Sequence, residues 1–276
     1  MTDPIKKIYK KAKSILFADP ELLYKKDRRL VSQPFVFHGG NEKAVLLVHG
    51  WTSVPYEVRR LGVFLNENGY SVRAPVLAGH GTVPKDLEGV KWTDWLSDLQ
   101  AEYYEMKKKY QKVYIGGTSI GSNLAVMLAK NNFDVAGLIL MATPYKIKLE
   151  KLMYYFAKAH LFFKKYNKKF YPPTFGLSTT ITRIISYQTY PVASALETFD
   201  LVRISRRYLK NIYQPCLILQ STHDHLVSRK SAEKIYAKIS SKKKKIRYIE
   251  KAYHTFISDI KNENVFEDIL NFLEEN

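Results

Sequence analysis

Cysteine and long apolar runs are nearly absent from this chain, and both absences limit its class. The 276 residues include one cysteine, Cys216, which excludes an internal disulfide. A single cysteine favours a reducing compartment, so a cytoplasmic location is expected. Cys216 belongs to the apolar run 216–219, a context typical of a buried structural thiol. No apolar run approaches the roughly 20 residues of a membrane-spanning helix, and the run 14–18 is too short for a signal-peptide core.

Acidic residues are few relative to basic ones. The sequence has 26 Asp and Glu against 44 Lys and Arg, a net charge of +18, and such an excess attracts nucleic acids or anionic membranes. Lysine far outnumbers arginine, as an AT-rich genome produces without functional selection. No helix-turn-helix, zinc-finger or RNP pattern accompanies the charge. We therefore expect no nucleic-acid partner and at most a weak contact with an anionic membrane surface.

The most informative stretch is a Gly-x-Ser-x-Gly motif centred on Ser119. The apolar, β-prone run 113–116 precedes it, and an apolar helical pattern, 124–129, follows it. A strand, a sharp turn and a helix in this order form the context of a nucleophile elbow. Glycine at Gly117 and Gly121 lets the chain pass close to its neighbours. The helix N-terminus behind the turn favours developing negative charge, so the motif predicts that Ser119 is a nucleophile.

Strand-like apolar runs alternate with helical patterns along most of the chain. Continuous apolar runs are typical of strands that are buried on both faces of a parallel sheet. Their alternation with helices predicts an α/β fold with a mostly parallel, doubly wound sheet and right-handed crossovers. The predicted strands are 44–48, 70–74, 113–116, 135–141, 215–220 and 245–249. The predicted helices outside the first 30 residues are 56–67, 92–109, 124–129, 194–210, 230–239 and 263–274.

The alternation stops after Pro144 for about 70 residues that are rich in aromatics and lysine. An insertion of this size in an α/β sheet is typically a cap over the active site. We predict a core formed by 31–144 and 214–276, with a helical cap at 145–213 inserted between late strands. Residues 1–30 have the spacing of a basic amphipathic helix, which either packs on the domain or lies on a membrane surface.

A serine hydroxyl needs a base to take its proton and an acid to hold that base. In this fold the acid and the histidine follow the serine in that order, each after a strand. Asp224 is the only carboxylate in the loop after strand 215–220, and His254 is the only histidine beyond that loop. We therefore predict Asp224 and His254 as the partners of Ser119. The alternatives are a helix cap for Asp224 and an ordinary core histidine for His254.

Two further histidines, His223 and His225, flank Asp224. Their spacing does not place two ligands on one helix face, so we expect no metal. Acyl transfer also needs donors for an oxyanion. The residue after the nucleophile, Ile120, supplies one backbone N–H, and Trp51, after the first buried strand, is our choice for the second. His49 and Gly50 then shape the turn rather than transfer protons.

At this point the sequence resembles the carboxylesterase and monoacylglycerol-lipase families of α/β-hydrolases. The matching segments are 48–52, 74–81, Trp92, Trp95, 117–121, 215–220, Asp224, Val227 and His254. The resemblance implies a Ser–Asp–His triad, a small cap between the sixth and seventh strands, and hydrolysis of carboxylic esters without a cofactor. The chain departs from the pattern at Ser122, where a second glycine commonly follows the elbow, and at Tyr253, where glycine commonly precedes the histidine.

These features predict a serine esterase or lipase that cleaves short- to medium-chain acyl esters or monoacylglycerol-like lipids through an acyl-enzyme. A thioesterase or peptidase of the same fold is an alternative, because the triad acts on any acyl carbonyl. A catalytically silent relative that binds a membrane or a partner is another.

The cap aromatics come in adjacent pairs: Tyr154–Tyr155, Phe162–Phe163 and Phe170–Tyr171. Adjacent residues cannot all lie on one helical stripe. We therefore expect some of them to line an acyl pocket above Ser119 and to raise kcat/KM from acetyl toward medium chains. The alternative is that they only hold the cap to the sheet.

Overall fold

A computed structural model describes residues 31–145, 149–169, 185–250, 252–258 and 264–276. The helix predicted within 1–30 lies outside these residues. In the ranges just given, no helix is both long enough and apolar enough to pass through a membrane.

The described residues form a seven-stranded sheet in the order β1-β3-β2-β4-β5-β8-β9. The edge strand β1 runs antiparallel to β3, and the other pairings are parallel. A separate antiparallel pair, β6–β7, lies within the predicted cap. The strands are β1 Phe35–Phe37, β2 Lys43–Val48, β3 Ser71–Ala74, β4 Lys112–Thr118, β5 Gly137–Met141, β6 Tyr166–Lys168, β7 Thr189–Pro191, β8 Cys216–Ser221 and β9 Lys244–Ile249.

Helices cover both faces of the sheet, as the alternation predicted. On β4, Tyr114 belongs to one hydrophobic cluster, and Val113 and Ile115 belong to the other, because successive side chains point to opposite faces. Helices α1 and α7 contribute to the first cluster, and α2, α3, α5 and α6 contribute to the second. The helices are α1 Tyr56–Glu67, α2 Trp92–Lys107, α3 Ile120–Ala129, α4 Glu150–Leu161, α5 Val192–Tyr208, α6 Lys230–Lys238 and α7 Asn264–Glu274.

The sequence pattern missed the short elements. Strand β1 has only three residues, too few to show a period, and the predicted strand 135–141 begins at Gly137. The predicted helical cap, 145–213, which we call the cap segment, contains helix α4, whose individual bounds the sequence pattern did not indicate. In the parallel part of the sheet, the carboxyl ends of β2, β4, β8 and β9 lie at one edge, so the loops that follow them meet there.

Candidate active site

Ser119 lies at the turn between β4 and α3 with a φ of 53° and a ψ of −122°. A positive φ is uncommon for a residue with a side chain and indicates strain that the surroundings must hold. The two glycines of the motif allow the turn. A Cβ on Gly117 would lie 2.3 Å from the backbone of Gly121, and a Cβ on Gly121 would lie 2.5 Å from the carbonyl oxygen of Val48. Any other residue at either position would push the turn apart.

Ser122, at the position where the resemblance leads one to expect glycine, ties the elbow to the sheet. Its hydroxyl donates to the Gly117 carbonyl and accepts the N–H of Met141 at 3.0 Å. The N–H of Ser119 donates to the Met141 carbonyl at 2.8 Å. The first turn of α3 is thus bonded to both β4 and β5, which stabilises the strained residue between them.

Asp224 and His254 lie side by side after β8 and β9. The His254 Nδ1 is 2.7 Å from Asp224 Oδ2. The other oxygen, Oδ1, accepts the N–H groups of Leu226 at 2.9 Å and Val227 at 2.8 Å, and Gln220 Nε2 donates to Oδ2 at 3.2 Å. Burial opposes the ionised carboxylate, but His254 and the two backbone N–H groups outweigh it and lower the pKa of Asp224.

Three charged groups face His254. Burial lowers the pKa of His254, but Asp224 and, more weakly, Glu57 raise it, while Lys169 lowers it. The net effect is a pKa above the ordinary value of histidine. Because Nδ1 is bonded to Asp224, the Nε2 of neutral His254 is the nitrogen left to accept a proton.

His49 shapes the loop after β2. Its Nδ1 lies 2.9 Å from the Gly50 carbonyl oxygen, and its Nε2 lies 3.2 Å from the backbone N–H of Leu77. An N–H can only donate, so Nε2 is the acceptor and Nδ1 carries the proton. Burial lowers the pKa of His49 to about 4. A histidine with both nitrogens occupied and no charge at neutral pH has the role of holding the turn.

Trp51 joins this loop to the cap segment. Its indole Nε1 donates to Ser194 Oγ of α5 at 2.9 Å, and its ring packs edge-on against Tyr190 of β7 at 4.8 Å between centroids. Within the part of the chain that the structure describes, the backbone N–H groups of Trp51 and Ile120 have no protein acceptor. Both N–H groups therefore remain available to a ligand.

A carboxylate that the sequence analysis missed lies beneath this loop. Glu57 of α1 is 2% exposed and accepts the N–H of Gly50 at 2.7 Å. The signal was its helical spacing, since Glu57 shares the buried stripe of α1 with Leu61 and Leu65. A carboxylate on the apolar face of a helix indicates either a buried ion pair or a functional site.

Lys169 follows β6 in the cap segment, where its N–H donates to the Gln188 carbonyl at 2.8 Å. Burial of the amine lowers the pKa of Lys169 to about 8, and the charge of Glu57 opposes this shift. The cap therefore brings a cation close to the carboxylate of Glu57 and to His254.

The two histidines that flank Asp224 are exposed, whereas Asp224 itself is buried. His223 Nδ1 bonds with Thr222 Oγ1 at 2.9 Å, and the ring of His225 packs edge-on against Tyr253. In the described ranges, no cluster of three or more His, Cys, Asp or Glu is arranged to hold a metal ion.

Some of the paired cap aromatics were expected to line an acyl pocket, and Phe162 and Phe163 do not, because both are largely exposed. Phe162 is 87% exposed and Phe163 is 90% exposed. Tyr154 packs edge-on against Phe199 of α5 at 6.0 Å, while Tyr155 is exposed. Adjacent aromatics of α4 lie on two faces of the helix, one packed against α5 and the other exposed to solvent. The third pair, 170–171, lies outside the described residues.

The chain is similar to known hydrolases along most of its length. A family model described as serine aminopeptidase, S33 (Hydrolase_4) matches residues 39–261. A carboxylesterase of Bacillus subtilis (strain 168) is 30% identical over 243 residues, which cover 88% of this chain and 96% of that protein. A thermostable monoacylglycerol lipase of Bacillus sp. (strain H-257) is 29% identical over 243 residues, covering 87% and 94%.

A solved structure of the metagenome-derived lipolytic enzymes LipS and LipT has a TM-score of 0.79 and 25% identity. The match covers 89% of this chain and 98% of that chain. The resemblance to carboxylesterases and monoacylglycerol lipases, and the α/β-hydrolase fold that it implies, are thus confirmed. Since the family model spans most of the chain and the carboxylesterase aligns along nearly all of it, the protein belongs to the serine aminopeptidase S33 family of α/β-hydrolases.

Proposed function

We propose that this protein is a carboxylic ester hydrolase in which Ser119 is the nucleophile, His254 the general base and Asp224 the acid that orients it. The contact of 2.7 Å between His254 Nδ1 and Asp224 Oδ2 carries the proposal. This contact supports a histidine base whose Nε2 accepts a proton, on a loop that follows β9 at the same edge of the sheet as the strained turn of Ser119.

In this mechanism the Ser119 hydroxyl attacks the ester carbonyl while His254 Nε2 takes its proton. The resulting oxyanion is bound by the backbone N–H groups of Trp51 and Ile120. His254 then gives the proton to the departing alcohol, which leaves an acyl group on Ser119. A water molecule, activated by the same imidazole, releases the acid. Protein groups and water carry every step.

The substrate class rests on the relatives. The family description includes an aminopeptidase, but the two relatives that align along nearly the whole chain are named as a carboxylesterase and a monoacylglycerol lipase. We therefore assign short- to medium-chain acyl esters or monoacylglycerol-like lipids to this site. A cytoplasmic location belongs to the same proposal and rests on Cys216 as the single, buried cysteine.

The test of this function is a substrate panel for the wild type and Ser119→Ala. The panel contains p-nitrophenyl esters from acetate to palmitate, a monoacylglycerol, an acyl-thioester and an aminoacyl anilide. We expect ester cleavage by the wild type and a loss on the order of 10⁶ in kcat for Ser119→Ala. A preference for the anilide or the thioester would replace ester hydrolysis by the corresponding activity. No cleavage at all would leave a silent binding protein.

A contact with an anionic lipid surface is part of the proposal, and it is carried by the cap. Helix α4 has no buried side chain. We call its exposed apolar residues and those at its ends the cap surface: Leu149, Leu152, Met153, Tyr155, Phe156, Phe162 and Phe163. The lysines of the same segment are Lys151, Lys158, Lys164, Lys165 and Lys168. Glu150, the one acidic residue between positions 149 and 168, is already paired with Arg206 at 2.9 Å, and Lys165 is paired with Glu88.

The composition of the cap surface matches an anionic bilayer. Each phenylalanine that enters lipid contributes about 1.5–3 kcal/mol, and each lysine near an anionic surface contributes about 1 kcal/mol. Docking there would bring the cap segment, which Trp51 joins to the loop after β2, to the layer that holds a lipid ester.

Vesicle binding tests this contact. The double variant Phe162→Ser/Phe163→Ser is expected to bind vesicles of anionic phospholipid at least tenfold more weakly than the wild type. The matched control is Phe133→Ser, because Phe133 is 74% exposed in the loop after α3, at the opposite edge of the sheet. Equal binding to neutral and anionic vesicles would remove the preference for an anionic surface, and no binding would remove the membrane contact. If the wild type forms a dimer and the double variant does not, the cap surface binds a second copy of the chain instead of a membrane.

A further inference from the structure

Glu57 is a buried carboxylate that the proposed triad does not use. Only 2% of its surface is exposed, and α1 buries it in line with Leu61 and Leu65. A charge removed from water is costly unless hydrogen bonds and opposite charges compensate for it. The contacts that compensate for it here all belong to the candidate site.

The first contact holds Gly50. The N–H of Gly50 donates to Glu57 Oε2 at 2.7 Å. On its other side, the Gly50 carbonyl accepts the N–H of Ser53 at 3.1 Å and the Nδ1–H of His49 at 2.9 Å. Both peptide groups of Gly50 are therefore fixed, one by Glu57 and the other by the turn.

This arrangement sets the direction of the Trp51 N–H. In a trans peptide the C=O of one residue and the N–H of the next point in opposite directions in one plane. Fixing the Gly50 carbonyl thus aims the Trp51 N–H. Glu57 holds the N–H of the same glycine. Without Glu57, Gly50 could rotate about φ and ψ, because glycine is the residue whose backbone angles are least restricted.

The carboxylate also lies close to the reacting groups. A Cβ built on Gly50 would be 3.4 Å from Glu57 Oε2 and 3.5 Å from Ser119 Cβ, so both atoms lie on the same side of Gly50. Burial raises the pKa of Glu57, and the Gly50 N–H, His254, the Ser53 hydroxyl and Lys169 oppose that shift. The charges that face His254 are Asp224 and Glu57, which favour the imidazolium, and Lys169, which disfavours it.

We propose that Glu57 is a positioning residue of the ester hydrolase, which aims the Trp51 N–H through Gly50 and stabilises the imidazolium of His254 with its negative charge. The inference rests on the functions proposed above for Trp51 and His254. During the attack His254 gains a proton while Ser119 loses one, so a second carboxylate near the imidazole stabilises the charge that develops there.

Two substitutions separate the hydrogen bond from the charge. Glu57→Gln keeps the volume and an oxygen that accepts the Gly50 N–H, but it removes the charge. Glu57→Ala removes both. Glu105→Gln is the control, because Glu105 is exposed on α2 and forms a surface ion pair with its neighbour Lys108. Activity on a p-nitrophenyl ester is measured against pH, and each rate is divided by the number of sites that a fluorophosphonate titrates.

We expect the acidic limb of the kcat/KM profile to move to lower pH in Glu57→Gln, because the lost negative charge had favoured protonated His254. In Glu57→Ala, we expect kcat to fall on the order of 10- to 100-fold with KM nearly unchanged. This is less than the 10²–10³ that deletion of an oxyanion donor costs, since the Trp51 N–H is misaligned rather than removed. Glu105→Gln should match the wild type.

An unmoved acidic limb in Glu57→Gln would overturn the electrostatic part. A wild-type kcat per titrated site in Glu57→Ala, with only the melting temperature lowered, would overturn the positioning part. Failure of Glu57→Gln to fold would also overturn the proposal, because a positioning role tolerates a neutral residue of the same shape. Activity that survives Ser119→Ala would instead refute the proposed function, whatever the Glu57 variants do.

Discussion

The substitution Asp224→Asn tests the orientation of His254 most sharply. Asp224 Oδ1 accepts two backbone N–H groups, from Leu226 and Val227, at 2.9 and 2.8 Å. An asparagine oxygen will keep that position, because its amino group cannot accept them. The amino group then faces His254 Nδ1, at the place where a carboxylate oxygen now lies 2.7 Å away.

Two donors cannot share one hydrogen bond, so the imidazole must move its proton to Nε2 in order to accept at Nδ1. The wrong tautomer cannot take the proton of Ser119. In a serine triad this error costs on the order of 10⁴ in kcat, which corresponds to about 5 kcal/mol in activation free energy.

The assay is kcat on a short p-nitrophenyl ester, with thermal unfolding as a check on the fold. The control is Asp268→Asn, since Asp268 forms a surface pair with Arg247 at 2.9 Å and should leave kcat unchanged. A kcat for Asp224→Asn within tenfold of the wild type would mean that another group orients His254, and the tautomer argument would be refuted.

Three further outcomes are expected. Neutral His254 is the base, and its pKa lies above the ordinary value. Activity should therefore fall with decreasing pH through a midpoint above about 6.5. A midpoint well below that in a pH–rate profile would contradict the charges assigned around His254. Ser122→Gly should lower the free energy of unfolding by about 1–3 kcal/mol in a denaturant titration, because the Met141 N–H and the Gly117 carbonyl each lose a hydrogen-bond partner. An unchanged free energy would mean that these hydrogen bonds do not contribute to stability. Phe162→Ala should change neither chain-length preference nor melting temperature, since the side chain is 87% exposed; a shift toward acetyl in an ester panel would restore the acyl-pocket hypothesis.

The elbow and its partners were predictable because their constraints are local. Glycine is required at Gly117 and Gly121 because an added Cβ would lie 2.3 Å from the backbone of Gly121 in the first case and 2.5 Å from the Val48 carbonyl oxygen in the second. Asp224 and His254 each follow a recognisable strand, and chain order specifies which strand. The parallel topology then brings the two loops together, and the observed contact follows from that adjacency.

Other features depend on packing between distant segments, which a periodicity does not contain. Glu57 gave a signal, a carboxylate on an apolar stripe, but its partner Gly50 became visible only in three dimensions. The cap aromatics showed that α4 has two faces and left open what each face meets. Strand β1 pairs with β3 over three residues, which are too few for an alternation of apolar and polar side chains to be recognised. The domain boundaries at 144 and 214 remain a prediction.

The central claim, that Ser119 is the nucleophile, is tested most directly by a covalent label. The wild-type protein is treated with a fluorophosphonate, residual ester hydrolysis is followed, and the modified peptide is identified by mass spectrometry. We predict one adduct per chain, on the peptide that contains Ser119, with hydrolysis lost in proportion to labelling. An adduct on a different residue, or full ester hydrolysis after complete labelling of Ser119, would contradict the mechanism.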